Sequence, residues 1–226
     1  MISRWSAPPE QRWSTSAERR GITVAWMLRR LAAERRAAGD RYSRVAQLVW
    51  SGDSDDDEAI RDTRVVLDDL FRRATRHVLL ATYVIYDGLA MFRALADRLR
   101  AVSDLRVDLY VNLFSKTGLP DDEHAEVTEF LDTFHRKHWP SDLALPSIYY
   151  DPETRNLGHE RSALHAKCVV VDERWAFVTS ANFTEAAQER NIEVGVVLEH
   201  PRIAQSLVAR FEALREKRVF RRMGAA

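Results

Sequence analysis

Residues 163–172 read Ala-Leu-His-Ala-Lys-Cys-Val-Val-Val-Asp, and no other stretch restricts the fold as much. Side chains alternate across a strand, so His165 and Lys167 share a face. Beyond them both faces are apolar, with Cys168 and Val170 on one and Val169 and Val171 on the other. A strand of this kind is buried on both sides, as in sheets covered by helices, and its polar pair sits at the opening end. The surrounding pattern supplies the helices. Ile60, Val65, Val66, Leu67, Leu70 and Phe71 fall at helical spacing, and an apolar run over 77–86 predicts a buried strand. A helix over 91–102, a strand over 106–113, a helix over 122–137 and a short extended piece at 148–150 follow. After the 163–171 strand come a turn at 172–174, strands over 175–179 and 192–198, and a helix beginning after Pro201. The expected fold is α/β: a largely parallel sheet made mixed by its late hairpin, with helices on its faces.

Ahead of this domain, residues 17–50 predict two helices. Ile22, Trp26, Leu28 and Leu31 are apolar in the first; Gly39 and Asp40 turn the chain, and Val45, Leu48, Val49 and Trp50 are apolar in the second. The expected division is a helical extension over 1–52 and a catalytic domain over 53–226. The 34 basic and 34 acidic residues cancel, yet they are segregated. Residues 1–50 hold 10 Arg against 4 acids, and residues 202–226 hold 7 bases against 2, so both ends can attract polyanions. Between them, Asp53, Asp55, Asp56, Asp57 and Glu58 form an acidic cluster. No apolar stretch approaches the ~20 residues that span a bilayer, and the first residues lack a signal-peptide core. A cytoplasmic protein without a membrane partner is expected. Cys168 is the only cysteine, which excludes an intramolecular disulfide and a cysteine-built metal site.

The chemistry gathers in the last third. A buried Lys167 is costly unless an anion compensates it, and a phosphate would do so. Thr179-Ser180-Ala181-Asn182 follows an apolar strand directly, bringing hydroxyl and amide groups to its end. In the next strand Ile192, Val194, Val196 and Leu198 share one face, and Glu193 lies with Gly195 and Val197 on the other. If the Glu193 carboxylate accepts from one ring nitrogen of His165, it fixes the tautomer and frees the other nitrogen for attack. Residues 135–142 also satisfy H-x-K-x4-D, but in a helical pattern that ends in Pro140 and without a following Ser-x-Asn; we read that copy as chance. His77, His124 and His200 read as surface or helix-end residues, whereas His159, in a loop six residues before His165, is a candidate substrate contact.

His165-x-Lys167-x4-Asp172, then Ser180-x-Asn182 and Glu193, resembles the HKD signature of the phospholipase D superfamily, in its single-motif nuclease form. The resemblance implies a metal-independent phosphodiesterase with no cofactor, in which two motifs meet across a two-fold axis. One histidine becomes a phosphohistidine and the other protonates the leaving group. It implies His165 as nucleophile or acid, Lys167 and Asn182 as phosphate ligands, Ser180 as an assisting group, Glu193 as the residue orienting His165, and Asp172 as structural. Thr179 stands where the superfamily usually has Gly. With one motif per chain, a homodimer is expected to complete the site. Over its whole length, the chain is similar to the phospholipase-D-like component of the DISARM anti-phage system. Nucleic acid, DNA before RNA, and other defence proteins are therefore the expected partners. The alternatives are a phospholipase or phosphatidyl transferase, and a catalytically silent nucleic-acid-binding subunit.

Overall fold

The computed structural model describes residues 29–31, 33, 45–52, 62–115, 119–155, 163–184 and 191–224. The chain divides into two compact units, Met1–Arg44 and Val45–Ala226. In the first unit, residues 29–31 and 33 are helical. The rest of residues 1–44, with Trp5, Trp13, Ile22 and Trp26, lies outside the described residues, as does the acidic cluster at 53–58.

The second unit is built on an eight-stranded mixed sheet. In chain order its elements are β1 (Ala46–Ser51), α1 (Thr63–Arg73), β2 (His77–Ala81), α2 (Gly88–Met91), α3 (Arg93–Ala101), β3 (Arg106–Val111), α4 (Glu123–Lys137), β4 (Ser147–Tyr150), β5 (Cys168–Val171), β6 (Trp175–Thr179), β7 (Glu193–Glu199), α5 (Pro201–Glu216) and β8 (Arg221–Arg222). The strand order is β1-β7-β6-β5-β2-β3-β4-β8. Strands β2, β3 and β4 run parallel, and every other pairing is antiparallel. The α/β class and the mixed sheet are as expected, but five of the seven strand pairings are antiparallel, so the sheet is not largely parallel. One face of the sheet packs Val78, Leu80, Val169 and Phe177 against Leu67 and Phe71 of α1, Leu95 of α3 and Phe134 of α4. The other packs Leu79, Tyr110, Val170 and Ala176 against Ala204, Val208 and Phe211 of α5. Among the described residues, no helix is long and apolar enough to cross a membrane.

Three further expectations change. Residues 45–50, read as the second helix of the extension, contain the strand β1, which pairs with β7 from Ala46↔Leu198 to Ser51↔Glu193. A short apolar run fits either period, and the open edge of β7 decides for pairing. The compact unit accordingly begins at Val45, ahead of the expected boundary at 52/53. The strand expected over 77–86 ends at Ala81, because the Thr82 hydroxyl donates to Val84 O at 2.9 Å and turns the chain. His77, expected at the surface, is buried with Nε2 3.0 Å from Asp108 Oδ2.

The α5 layer stops short of the β1-β7-β6 corner. Leu48 and Val178 both pair with Val196, and Trp50 pairs with Val194. Leu48 (47%), Val178 (46%), Val194 (48%) and Val196 (37%) remain exposed there, an apolar strip across three strands.

Candidate active site

Strand directions bring the polar residues to one sheet edge. The carboxyl ends of β2, β3 and β6 and the amino ends of β5 and β7 meet there, because β5 runs against β2 and β6, and β6 runs against β7. Thus Tyr83, Asn112, His165, Lys167, Ser180, Asn182 and Glu193 lie at the same edge, and four of these segments belong to the middle of the sheet.

His165 and Lys167 converge, though not by the pleat of a regular strand. The ladder of β5 starts only at Cys168. Ahead of it the chain is held by Asn112, whose Nδ2 donates to Leu164 O at 2.9 Å while its Oδ1 accepts from Leu164 N at 2.8 Å. The same amide also donates to Tyr83 O at 2.9 Å, so one side chain fixes two of the segments that border the site. His165 is exposed and Lys167 buried. The lysine turns back on its neighbour: Nζ donates to His165 O at 2.9 Å and lies 3.1 Å from Nδ1 and 3.3 Å from Nε2 of the imidazole. The Tyr83 ring closes the other side, 5.2 Å from the His165 ring and 5.7 Å from Lys167 Nζ. Burial pushes the Lys167 ammonium below its ordinary pKa, against the pull of the Glu193 carboxylate.

Glu193 takes partners other than the expected one. Its carboxylate accepts from the Ser180 hydroxyl, and Asn191 Nδ2 lies 3.5 Å from its second oxygen. The Ser180 oxygen in turn accepts from Val194 N at 3.1 Å. Serine is thus the nearer neighbour along the strand pair, and Glu193 is tied to it instead of the His165 ring. Asn182 Oδ1 is buried without a hydrogen-bond partner; rotating the amide half a turn sets two N–H donors at that point. Thr179, in the place of the usual Gly, braces this corner, with Oγ1 accepting from Ala181 N at 3.0 Å. It faces Gly195, where an added Cβ would come within 3.0 Å of Thr179 Cβ.

Asp172 sits at the opposite edge. It accepts from Thr75 N and Arg76 N at 2.8 Å, from His77 N at 2.9 Å and from Thr75 Oγ1 at 2.6 Å. It serves to join the β5–β6 turn to the start of β2. His159 lies outside the described residues. Tyr83 and Asn112 were not singled out in the sequence as members of this edge. A polar amide directly after the apolar run 109–111 was the available signal, since a buried amide there needs partners. Lys137 and His135 of the chance motif are on α4, as their helical spacing implied.

The family model described as "Cardiolipin synthase, PLD-like domain" matches residues 67–215. The chain belongs to this PLD-like family. Among its relatives, the DISARM protein DrmC of Bacillus paralicheniformis is 25% identical over 154 residues, covering 67% of this chain and 56% of that protein. The match therefore spans little more than half the length of that relative. Among solved structures, phosphatidylserine synthase of Haemophilus influenzae Rd KW20 is 14% identical with a TM-score of 0.50, over 78% of this chain and 39% of that one. Nuc, a phospholipase D family member from Salmonella typhimurium, is 17% identical with a TM-score of 0.48, over 78% of this chain and 96% of that one. At such identities the likeness to the synthase speaks for the fold alone.

Proposed function

We propose that this PLD-like protein is a metal-independent phosphodiesterase that cleaves nucleic acid, DNA in preference, within bacterial anti-phage defence, and that it acts as a homodimer. The observation that carries the reading is the His165–Lys167 pair: an ammonium deprived of water, 3.1 Å from an exposed imidazole, at the open middle of the sheet edge. A phosphodiester placed there would give Lys167 an anionic partner in place of the water that burial has taken from it. The likeness to a DISARM protein supports the defence setting.

In the proposed reaction a ring nitrogen of His165 attacks phosphorus, a P–N bond forms, and the P–O bond to the leaving alcohol breaks. The imidazolium of the second copy's His165 gives its proton to that oxygen. Water then attacks phosphorus, its proton passes to the second imidazole, and the P–N bond breaks to restore His165. Lys167 and the amide of Asn182 would hold the phosphoryl oxygens as negative charge builds on them. Ser180 would position the Glu193 carboxylate near Lys167. The apolar strip at β1-β7-β6 runs up to Ser180, whose oxygen accepts from Val194 N, and it offers a second copy a surface to pack on beside the candidate site.

Labelled single-stranded DNA, duplex DNA and RNA incubated in EDTA with the wild type and with His165→Ala test the reading. Cleavage by the wild type, reduced at least ~10²-fold in the variant, is expected. Turnover of phosphatidylglycerol in place of any nucleic acid would make the protein a lipid enzyme. Nucleic-acid binding without cleavage by either form would make it a silent subunit.

A further inference from the structure

A second concavity adjoins the His165–Lys167 pair. Tyr83, Tyr86, Phe114, Phe130, Phe134 and His138 wall a pocket of about 190 Å³ between the β2 and β3 ends and α4. Tyr83 is shared with the active site: its ring lies 5.2 Å from that of His165, and it meets Phe114 edge-on at 5.4 Å. Phe114 and Tyr86 stand exposed at the mouth, while Phe130 and Phe134 stack at 6.2 Å behind them. The Asn112 amide, bonded to both Tyr83 O and Leu164 O, locks the pocket to the catalytic segment.

We propose that this pocket takes the nucleobase of the nucleotide next to the scissile phosphate. The inference rests on the nuclease reading and names how that substrate is held. Three features select the occupant. The volume lies below the ~300 Å³ at which pockets for whole small molecules begin, so it suits one ring system and is too small to enclose a fatty acyl chain. Its walls are flat rings, on which any base can stack. Its lining also carries polar groups, Thr133 and His138, which an acyl site would not need. Gly88 N donates to His138 Nδ1 at 3.2 Å, leaving the ring proton on Nε2 as a donor. The cationic and the apolar parts then divide the nucleotide between them: Lys167 takes the phosphate, and the aromatic pocket takes the base attached to it.

The test uses the full chain carrying His165→Ala, so that binding is read without cleavage. Fluorescence anisotropy compares a labelled thymidine oligonucleotide with an abasic deoxyribose-phosphate strand of equal length. Adding Phe114→Ala is expected to weaken binding of the thymidine strand about 5- to 100-fold and leave the abasic strand nearly unchanged. Phe114→Trp, which keeps a flat ring, is expected to retain affinity. Phe114 is 41% exposed and meets Tyr83 edge-on, so circular dichroism of both variants checks that the fold is kept. Equal loss on both strands, no loss on either, or a loss seen only with phosphatidylglycerol vesicles overturns the proposal. If the wild type cleaves no nucleic acid while the contrast between strands persists, the nuclease reading fails and the base pocket stands.

Discussion

Asp172 shows how a residue of the signature can act away from the chemistry. With φ of 52° it occupies the left-handed region, and Glu173 beside it does the same at 54°. That conformation costs a non-glycine residue roughly 1–2 kcal/mol, and hydrogen bonds from Thr75, Arg76 and His77 offset it. Burial alone would raise the Asp172 pKa; the Thr75 hydroxyl and the backbone N–H groups of His77, Arg76 and Thr75 outweigh it and hold the carboxyl below its ordinary value. A carboxyl depressed in the folded state contributes stability above its unfolded pKa and loses it as pH falls through the folded value. Asp172→Asn is therefore expected to cost roughly 2–4 kcal/mol at neutral pH, measured by urea unfolding, with the deficit shrinking under acid. A constant deficit across pH would assign the loss to geometry instead of charge. That His165, Lys167, Ser180 and Asn182 meet at adjacent strand ends was legible because a short motif carries them there. The Glu193–Ser180 pairing was not, since it depends on rotamers across two strands, and neither was the role of Asn112, whose partners lie 29 and 52 residues away.

At the level of elements, the pattern of apolar runs placed β2 to β7 and the helices between them, because burial on one or both faces leaves a period in the sequence. It could not place β1, where Leu48, Val49 and Trp50 satisfy either period until a partner edge is known. Nor could it see that the 163–167 segment leaves the ladder, because an amide from β3's end replaces the missing strand neighbour. The contact of β6 with β7 carries a sharper constraint. A Cβ at Gly195 would meet Phe177 Cε2 at 2.7 Å and Val178 O at 2.9 Å, and the second of these is backbone that cannot step aside. Gly195→Ala is expected to destabilise the chain by about 1–3 kcal/mol in thermal or urea unfolding. It should also displace the Thr179–Asn182 corner, so cleavage should fall more than the loss of folded protein explains. An unchanged unfolding midpoint would mean that β6 and β7 can spread at no cost.

Among the described residues, the candidate edge carries one imidazole, that of His165, beside an apolar strip that no described residue covers. Exposed apolar surface of this kind on a sheet marks an interaction site, and a sheet corner invites pairing with a like corner. A two-fold copy docked on Leu48, Val178, Val194 and Val196 would bury the strip and supply the second His165. Val196→Glu places a charge in the middle of that contact. Since Val196 is exposed in the single chain, its circular dichroism and unfolding are expected to stay close to wild type, while light scattering shifts from dimer to monomer and cleavage is lost. Co-refolding wild type with His165→Ala in equal parts supplies an independent reading. If both imidazoles act in one site, activity should fall to about one quarter of the unmixed wild type, the fraction of dimers with two intact copies. If each chain works alone, it should fall only to about half. A Val196→Glu monomer that cleaves at the wild-type rate, together with the half-activity result, would mean that each chain carries a complete site and that the strip serves another partner.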